Sequence, residues 1–275
     1  MQNLSNELLS QVIRKRPEKS HKGTFGKVVL VGGNAQYGGA IIMSAQAAVQ
    51  AGAGLVTVVT DKANHSPLHA RLPEAMVVDW ENQPLIDEVL KNADVVLIGP
   101  GMGIEQQNER MLQFLLKKQT ENQWLIIDGS AITLFAKHPH TLNYPDQTIF
   151  TPHQMEWERL SGLPIEEQTT ENNQQSQRHL EAVVIVKSHR TEIYTPQETY
   201  KNPLGTAAMA TGGMGDTLAG ILTAFLAQFD NKEQAIGAAV YLHSLIGETL
   251  GEKRYVVLPT ELANQLPYYM KHFER

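Results

Sequence analysis

Lys27-Val28-Val29-Leu30-Val31-Gly32-Gly33 opens the pattern that decides the fold. An apolar run that short, stopped by two glycines, reads as a buried strand leading into a tight turn. After Asn34-Ala35-Gln36-Tyr37-Gly38-Gly39, the residues Ile42, Ala45, Ala48 and Val49 recur at the spacing that lines one face of a helix. Gly52 and Gly54 end that helix, and Leu55-Val56-Thr57-Val58-Val59 makes a second strand. The unit is βαβ, and its crossover is expected to be right-handed.

The alternation continues outward from this unit. Asp94 to Ile98 reads as a strand entering the turn Gly99-Pro100-Gly101-Met102-Gly103, followed by a helix carrying Met111, Phe114 and Leu115. Trp124 to Asp128 and Thr148 to Thr151 are further strands, the second stopped by Pro152. Ala182 to Lys187 and Thr191 to Thr195 are separated by Ser188-His189-Arg190, a length that suits a hairpin. Helical segments are expected at about Gly213 to Gln228, Lys232 to Leu250 and Pro259 to His272. The polar stretch Thr169 to Gln177 reads as an exposed loop or helix edge. No internal repeat or linker interrupts the pattern, so residues 1–275 are expected to form one α/β domain. Its central sheet should be largely parallel, with helices on both faces. In such a sheet ligands gather outside the carboxyl ends of the strands. The two glycine turns, Asp128 and Thr151-Pro152-His153 all fall there.

Composition excludes several classes of function. A net charge of −6 and scattered Lys and Arg leave no basic stripe for nucleic acid. The short Arg14-Lys15-Arg16 run reads as a solvated face. With no cysteine there is no disulfide, thiolate metal site or cysteine nucleophile. His65 and His69 are four apart, but Pro67 between them argues against a shared helix face, and His138 and His140 flank Pro139. No apolar run approaches the ~20 residues that span a bilayer. The first residues do not read as a secretory signal, so the cytoplasm is the expected location.

The sharpest chemical segment is Ala210-Thr211-Gly212-Gly213-Met214-Gly215-Asp216-Thr217-Leu218-Ala219-Gly220. Glycines let backbone amides approach a ligand, and the apolar residues after Thr217 start a buried helix. A helix start offers unpaired N–H groups and partial positive charge to a phosphate. Asp216 there can take a proton from a hydroxyl while the amides hold the phosphoryl group. The plainer alternative is a favourable charge at a helix start. Thr151-Pro152-His153-Gln154-Met155-Glu156 likewise has two readings. One is a cap with Glu156 near the positive helix end; the other has Glu156 reaching Mg²⁺ through water and His153 touching substrate. Lys187 is either a solvated strand-end lysine or a point charge for phosphate. The Gly32 to Gly39 turn matches neither a Gly-x-Gly-x-x-Gly fingerprint nor a P-loop.

Together these segments resemble the NAD(P)H-hydrate dehydratases, a lyase family of the ribokinase-like superfamily, over about His21 to Leu250. The resemblance rests on Lys22 to Lys27, Gly32-Gly33-Asn34 through Ala40, Ala51 to Val56 and Gly99 to Gly103. It rests equally on Thr151-Pro152-His153 with Glu156, Lys187 with Thr191, and Ala210 to Gly213 with Gly215-Asp216. It implies a ribokinase-like fold and repair of NADH or NADPH that has taken up water across a ring double bond. ADP or ATP would phosphorylate the new hydroxyl, and phosphate would then leave with help from the ring nitrogen lone pair. It further implies Mg²⁺ and a homotetramer. The epimerase domain fused to some relatives is missing here, so that step is expected from a separate protein. Carried over residue by residue, Ala40, Gly103, His153 and Asp216 would contact the hydrate. Lys187, Ser188, His189, Arg190, Thr191, Gly213 and Gly215 would hold the nucleotide, and Asp216 would be the base. The chain departs from the family at Ser188, usually glycine, at Gly129-Ser130, commonly Ala-Asp, and at Thr206-Ala207, frequently Asn-Pro.

Two other readings share these residues. A kinase for a hydroxyethylthiazole or hydroxymethylpyrimidine alcohol would leave phosphate on its product. A nucleotide-binding sensor would need no base, which Gly213-Met214-Gly215-Asp216 argues against.

Overall fold

The computed structural model describes residues 1–138 and 140–275 of the chain. In chain order the first elements are β1 (Gln2–Asn3), α1 (Asn6–Val12), β2 (Lys27–Val31), α2 (Gly38–Gln50), β3 (Leu55–Thr60), α3 (His65–Arg71), β4 (Met76–Asp79) and α4 (Gln83–Lys91). Next come β5 (Val95–Ile98), α5 (Gln106–Lys118), β6 (Trp124–Ile127), α6 (Ser130–Lys137), β7 (Thr148–Phe150), α7 (Gln154–Ser161) and α8 (Thr170–Leu180). The chain closes with β8 (Val183–Val186), β9 (Glu192–Tyr194), β10 (Thr199–Lys201), α9 (Met214–Gln228), α10 (Lys232–Gly251) and α11 (Pro259–Phe273).

One ten-stranded sheet runs in the order β1-β10-β9-β8-β7-β6-β5-β2-β3-β4. From β8 through β4 every neighbouring pair is parallel; β9 pairs antiparallel with both β8 and β10. Alternate side chains of β2 divide between the two layers, as the pleat requires. Val28 and Leu30 join the cluster that holds Ala45, Leu222 and Leu242, whereas Val29 and Val31 join Leu112, Leu115 and Ile132 on the other face. The strands therefore need apolar residues at every position, which is why they read as unbroken apolar runs. A largely parallel sheet with apolar layers on both faces is the α/β architecture that the alternation of strands and helices predicts.

Several local expectations change. In α2 the fully covered apolar residues are Ile41, Ala45, Ala47 and Ala48, with Ile42 and Val49 only partly buried. The reason is that α2 packs against α9 and α11 as well as the sheet, so one stripe does not describe it. At Gly220 the fit to α2 is so close that a Cβ would stand 2.1 Å from the Ser44 carbonyl oxygen. Of the loop and helix readings of the polar stretch from Thr169, the helix is the one that holds, since it lies mostly within α8, capped by the Thr169 hydroxyl. Its inner side is buried through pairing: the Trp157 indole donates to Asn173 at 2.7 Å, and Gln177 donates to the Ala182 carbonyl at 2.8 Å. His65 and His69 do share a helix, because Pro67 falls in the first turn of α3, where its missing N–H does no harm. Pro139, between His138 and His140, lies outside the described residues. Among the described residues no helix is long and apolar enough to cross a membrane.

Candidate active site

Strand order places the ends of β2, β5, β6, β7 and β8 in one row, and connections turn in opposite directions on either side of the β2–β5 pair. The glycine turns after β2 and β5 meet at this switch point. Gly33 N–H donates to Pro100 O and Asn34 N–H to Gly101 O, both at 2.8 Å. The Asn34 side chain then accepts from the amides of Gln36 and Tyr37 at 3.0 and 2.8 Å, which starts α2. Ala40, in the first turn of α2, is half-buried. Gly103 has φ +88°, a conformation that a side chain would strain. Its amide donates to the Ser130 hydroxyl at 3.1 Å. Ser130, one of the two residues that depart from the family pattern after Asp128, thus anchors the Gly103 turn.

The next three strand ends supply a buried ion pair. Asp128, Thr151 and Lys187 follow β6, β7 and β8, which are neighbours. Lys187 Nζ lies 2.8 Å from Asp128 Oδ1, and the Thr151 hydroxyl donates to the same oxygen at 2.6 Å. The carboxylate is 2% exposed, so its charge requires both partners. Lys187 is fixed from its backbone as well, donating to Pro152 O at 2.8 Å.

At α7 the cap reading of His153 and Glu156 is what the geometry contains. His153 Nδ1 accepts from the amides of Met155 and Glu156 at 3.2 and 3.3 Å, and Glu156 Oε2 accepts from the His153 amide at 2.8 Å. The arrangement is a capping box with histidine as the cap. It leaves the His153 ring exposed and Glu156 buried.

At α9 the first turn stays open. Gly213 is the cap residue, in the left-handed region at φ +98°, and makes no side-chain cap bond. The amides of the following turn are therefore left for a ligand. Gly215 keeps this surface low: a Cβ there would stand 3.1 Å from Lys187 Nζ. The Ser44 hydroxyl lies 2.9 Å from the Asp216 carbonyl and 3.2 Å from that of Ala40, so it ties the start of α2 to the start of α9.

These groups set one another's charge. The Asp216 carboxyl is raised to about 7, first by burial and then by the neighbouring Asp128, with Lys187 opposing and Glu156 adding. Burial works against the Lys187 ammonium, but Asp128, Glu156 and Asp216 outweigh it and hold its pKa above the ordinary lysine value. A carboxylate that titrates near 7 beside a fixed cation and open amides is suited to take a proton as a phosphoryl group is transferred. Among the described residues no group of three or more His, Asp or Glu is arranged to hold a metal ion. A divalent cation here fits as the companion of a ligand's phosphates. A cavity of about 720 Å³ lies elsewhere, with Arg16, Phe25, Gln228 and Met270 among its lining residues and none of the side chains above.

The turn between β8 and β9 carries Ser188, His189, Arg190 and Thr191. Ser188 and Arg190 bond reciprocally, the hydroxyl donating to Arg190 O at 2.8 Å and accepting from its amide at 3.1 Å. Among the described residues Glu181 is the only non-glycine with positive φ, so Ser188 occupies its position without the backbone a glycine would be needed for. Arg190 donates to Gly205 O at 3.0 Å and joins this turn to the segment that leads into α9.

The sequence pattern places the glycine turns after β2 and β5, Asp128 and Thr151-Pro152-His153 at the carboxyl ends of the strands, where they are found, and the structure brings Lys187 and Gly215-Asp216 to the same end. The sequence pattern missed the pairing of Asp128 with Lys187 and the parts played by Thr151, Ser130 and Ser44. The signal for the first was available: polar residues directly after three neighbouring buried strands. The other two depend on helix packing, which no local pattern reports.

Comparison with known proteins shows what the chain as a whole is similar to. A family model described as NAD(P)H-hydrate dehydratase matches residues 28–268. The ADP-dependent (S)-NAD(P)H-hydrate dehydratase of Enterococcus faecalis is 55% identical over 273 residues, covering 99% of this chain and 94% of that protein. A crystal structure of a ribokinase-like superfamily protein from Enterococcus faecalis has a TM-score of 0.98 at 54% identity, covering 100% of this chain and 96% of that one. The ADP/ATP-dependent NAD(P)H-hydrate dehydratase of Bacillus subtilis, co-crystallised with ATP and Mg²⁺, has a TM-score of 0.86 at 26% identity and covers 98% of each chain.

Proposed function

The chain belongs to the NAD(P)H-hydrate dehydratase family, and from that membership and the geometry of the site we propose that it returns NADH or NADPH hydrate to the reduced cofactor at the expense of ADP. The observation that carries the reading is the open first turn of α9, with Asp216 beside Lys187 and a raised carboxyl.

Asp216 takes the proton of the hydrate's ring hydroxyl, and the freed oxygen attacks the terminal phosphoryl group of the nucleotide. With ADP the leaving group is AMP. The phosphate ester formed on the ring is a far better leaving group than hydroxide. The ring nitrogen lone pair expels phosphate, and loss of a proton from the adjoining carbon restores the double bond. Lys187, Gly213 and Gly215 hold the phosphates, and Ser188 to Thr191 take the rest of the nucleotide. Ala40, Gly103 and the exposed ring of His153 line the hydrate pocket. Mg²⁺ would be held chiefly by the nucleotide's phosphates, where Glu156 would meet it through water and it would offset their charge. The ADP dependence in the name of the Enterococcus relative supports ADP as the donor.

The whole of residues 1–275 works as one domain in the cytoplasm, with a separate epimerase interconverting the hydrate epimers. A homotetramer accords with the exposed Tyr255, Val256, Leu258 and Tyr268 on and beside the connection from α10 to α11. The test is to incubate the purified protein with NADH hydrate and ADP, following NADH absorbance and phosphate together. Equal release of NADH and free phosphate supports the reading. Phosphate retained on an organic alcohol, with no action on the hydrate, would replace it with the kinase reading.

A further inference from the structure

The turn from β5 to α5 is fixed carbonyl by carbonyl. Gly99 O accepts from the Met102 amide at 3.0 Å, Pro100 O from the Gly33 amide and Gly101 O from the Asn34 amide, both at 2.8 Å. Met102 O accepts from the Asn108 side chain at 2.8 Å, which also donates to Glu105 at 2.7 Å. The peptide between Met102 and Gly103 is thus held at its oxygen, and its N–H is held by the Ser130 hydroxyl at 3.1 Å. Ser130 is the first residue of α6 and is half-buried. It reaches the turn because the chain leaves β5 and β6 in close contact: a Cβ at Gly99 would stand 1.7 Å from Asp128 O. Asp128, two residues earlier, carries the ion pair with Lys187. Ser130 therefore links the strand end that holds this pair to the Gly103 turn.

A serine oxygen can accept and donate at once. Among the described residues Ser130 is used as an acceptor alone, which leaves its proton for a ligand. Alanine at this position would leave the Gly103 amide unpaired, and a carboxylate would hold the amide with no proton to offer. A hydroxyl does both. We propose that Ser130 is a substrate-binding residue of the hydrate pocket: the Gly103 amide orients its oxygen, and its proton is donated to an oxygen of the hydrated ring. Two oxygens on that ring qualify, the added hydroxyl and the carboxamide, and only the carboxamide is present in NADH. The proposal rests on the reading of the Gly103 turn as the hydrate's side of the site.

Three variants of the full chain test it. Ser130→Ala removes acceptor and proton, Ser130→Asp keeps an acceptor for Gly103 without the proton, and Ser130→Thr keeps both. Ser130→Ala should raise KM for the hydrate about tenfold, near the upper worth of one hydrogen bond. Its kcat should stay close to wild type, as for a contact made alike in ground and transition states. ADP affinity by calorimetry and the melting temperature should hold, because α9 is untouched and Gly103 is only half-buried. Ser130→Thr should keep most of the hydrate affinity and Ser130→Asp little of it. Calorimetry with NADH identifies the acceptor. Affinity for NADH lost alongside that for the hydrate assigns the carboxamide, and a loss confined to the hydrate assigns the ring hydroxyl. A KM in Ser130→Ala within about twofold of wild type, less than a hydrogen bond is worth, overturns the proposal. Equal KM in Ser130→Asp and Ser130→Thr overturns it too, since an acceptor alone would then suffice, and this pair serves if the Ala variant does not fold. Wild-type protein that ignores the hydrate contradicts the proposed reaction and this contact with it. Wild-type turnover that the Ala variant matches contradicts the contact alone.

Discussion

α7 and α9 both begin at the carboxyl end of the sheet, and each has an acidic residue three places beyond its cap, Glu156 in one and Asp216 in the other. At α7 the His153 ring takes two amides and Glu156 reaches back to a third, so the first turn is satisfied within itself. At α9 the cap is a glycine with nothing to offer, and the turn is left open. The same local pattern therefore serves structure at one helix and chemistry at the other. The cap residue is what differs. Glu156 still contributes at a distance, because its charge helps to raise the Asp216 carboxyl and Lys187.

The comparison breaks first at Asp216. Asp216→Asn keeps size and cap propensity but loses the proton acceptor, so turnover should fall by roughly 10²–10⁴-fold, the range for a general base. ADP affinity, by calorimetry, should hold or tighten as a negative charge near the phosphates is removed. Stability should move the opposite way to activity. The folded carboxyl is raised from 3.8 to about 7, so the native state binds the proton more tightly than the unfolded chain. Wild type therefore loses stability as pH rises through this window. The Asn variant should melt higher than wild type at pH 8, and the gap should close below pH 4.

Lys187→Met comes next. It removes the point charge over Gly215 and strands Asp128 with Thr151 alone. ADP affinity should fall by roughly 10–100-fold, as for a lost hydrogen bond to a charged group. Denaturant unfolding should show a loss of about 3–5 kcal/mol, typical of breaking a buried pair from one side. A variant as stable as wild type would mean that the pair adds nothing to the fold.

The smallest effects belong to the closed helix. Glu156→Gln keeps an acceptor for the His153 amide, so turnover should stay within about fivefold of wild type, well short of losing a general base. His153→Ala should cost about 1 kcal/mol of stability, the usual worth of a cap, and raise KM for the hydrate more than it lowers kcat. A loss in Glu156→Gln as large as that in Asp216→Asn would erase the distinction between the two helices.

What was legible beforehand follows from where the information sits. β2, β3, β5 and β6 are apolar at nearly every position because both faces are covered, and short runs between glycines identify them. β4 and β10 are short, with partly exposed residues, and lack that contrast. At the site, the glycines before Asp216 announce an open turn from composition alone. His153 and Glu156 do not reveal by spacing whether they face inward to amides or outward to a ligand, because both uses need the same residues three apart. Asp128 and Lys187 are 59 residues apart in the chain and meet only because β6, β7 and β8 are neighbours.

Asp216 is to act as an ionised base in a field made by its neighbours, and the pH dependence of kcat/KM for the hydrate at saturating ADP tests that directly. A base must be ionised to accept a proton, so the rate should rise with pH along an acid limb centred near 7 in wild type. Asp128→Asn removes the second-largest cause of the raised carboxyl and releases Lys187 towards Asp216, so its limb should move to lower pH. A profile flat from about pH 5 to 8, across the ordinary titration of a raised carboxyl, would contradict the assignment, as would a limb that stays at the same pH in Asp128→Asn.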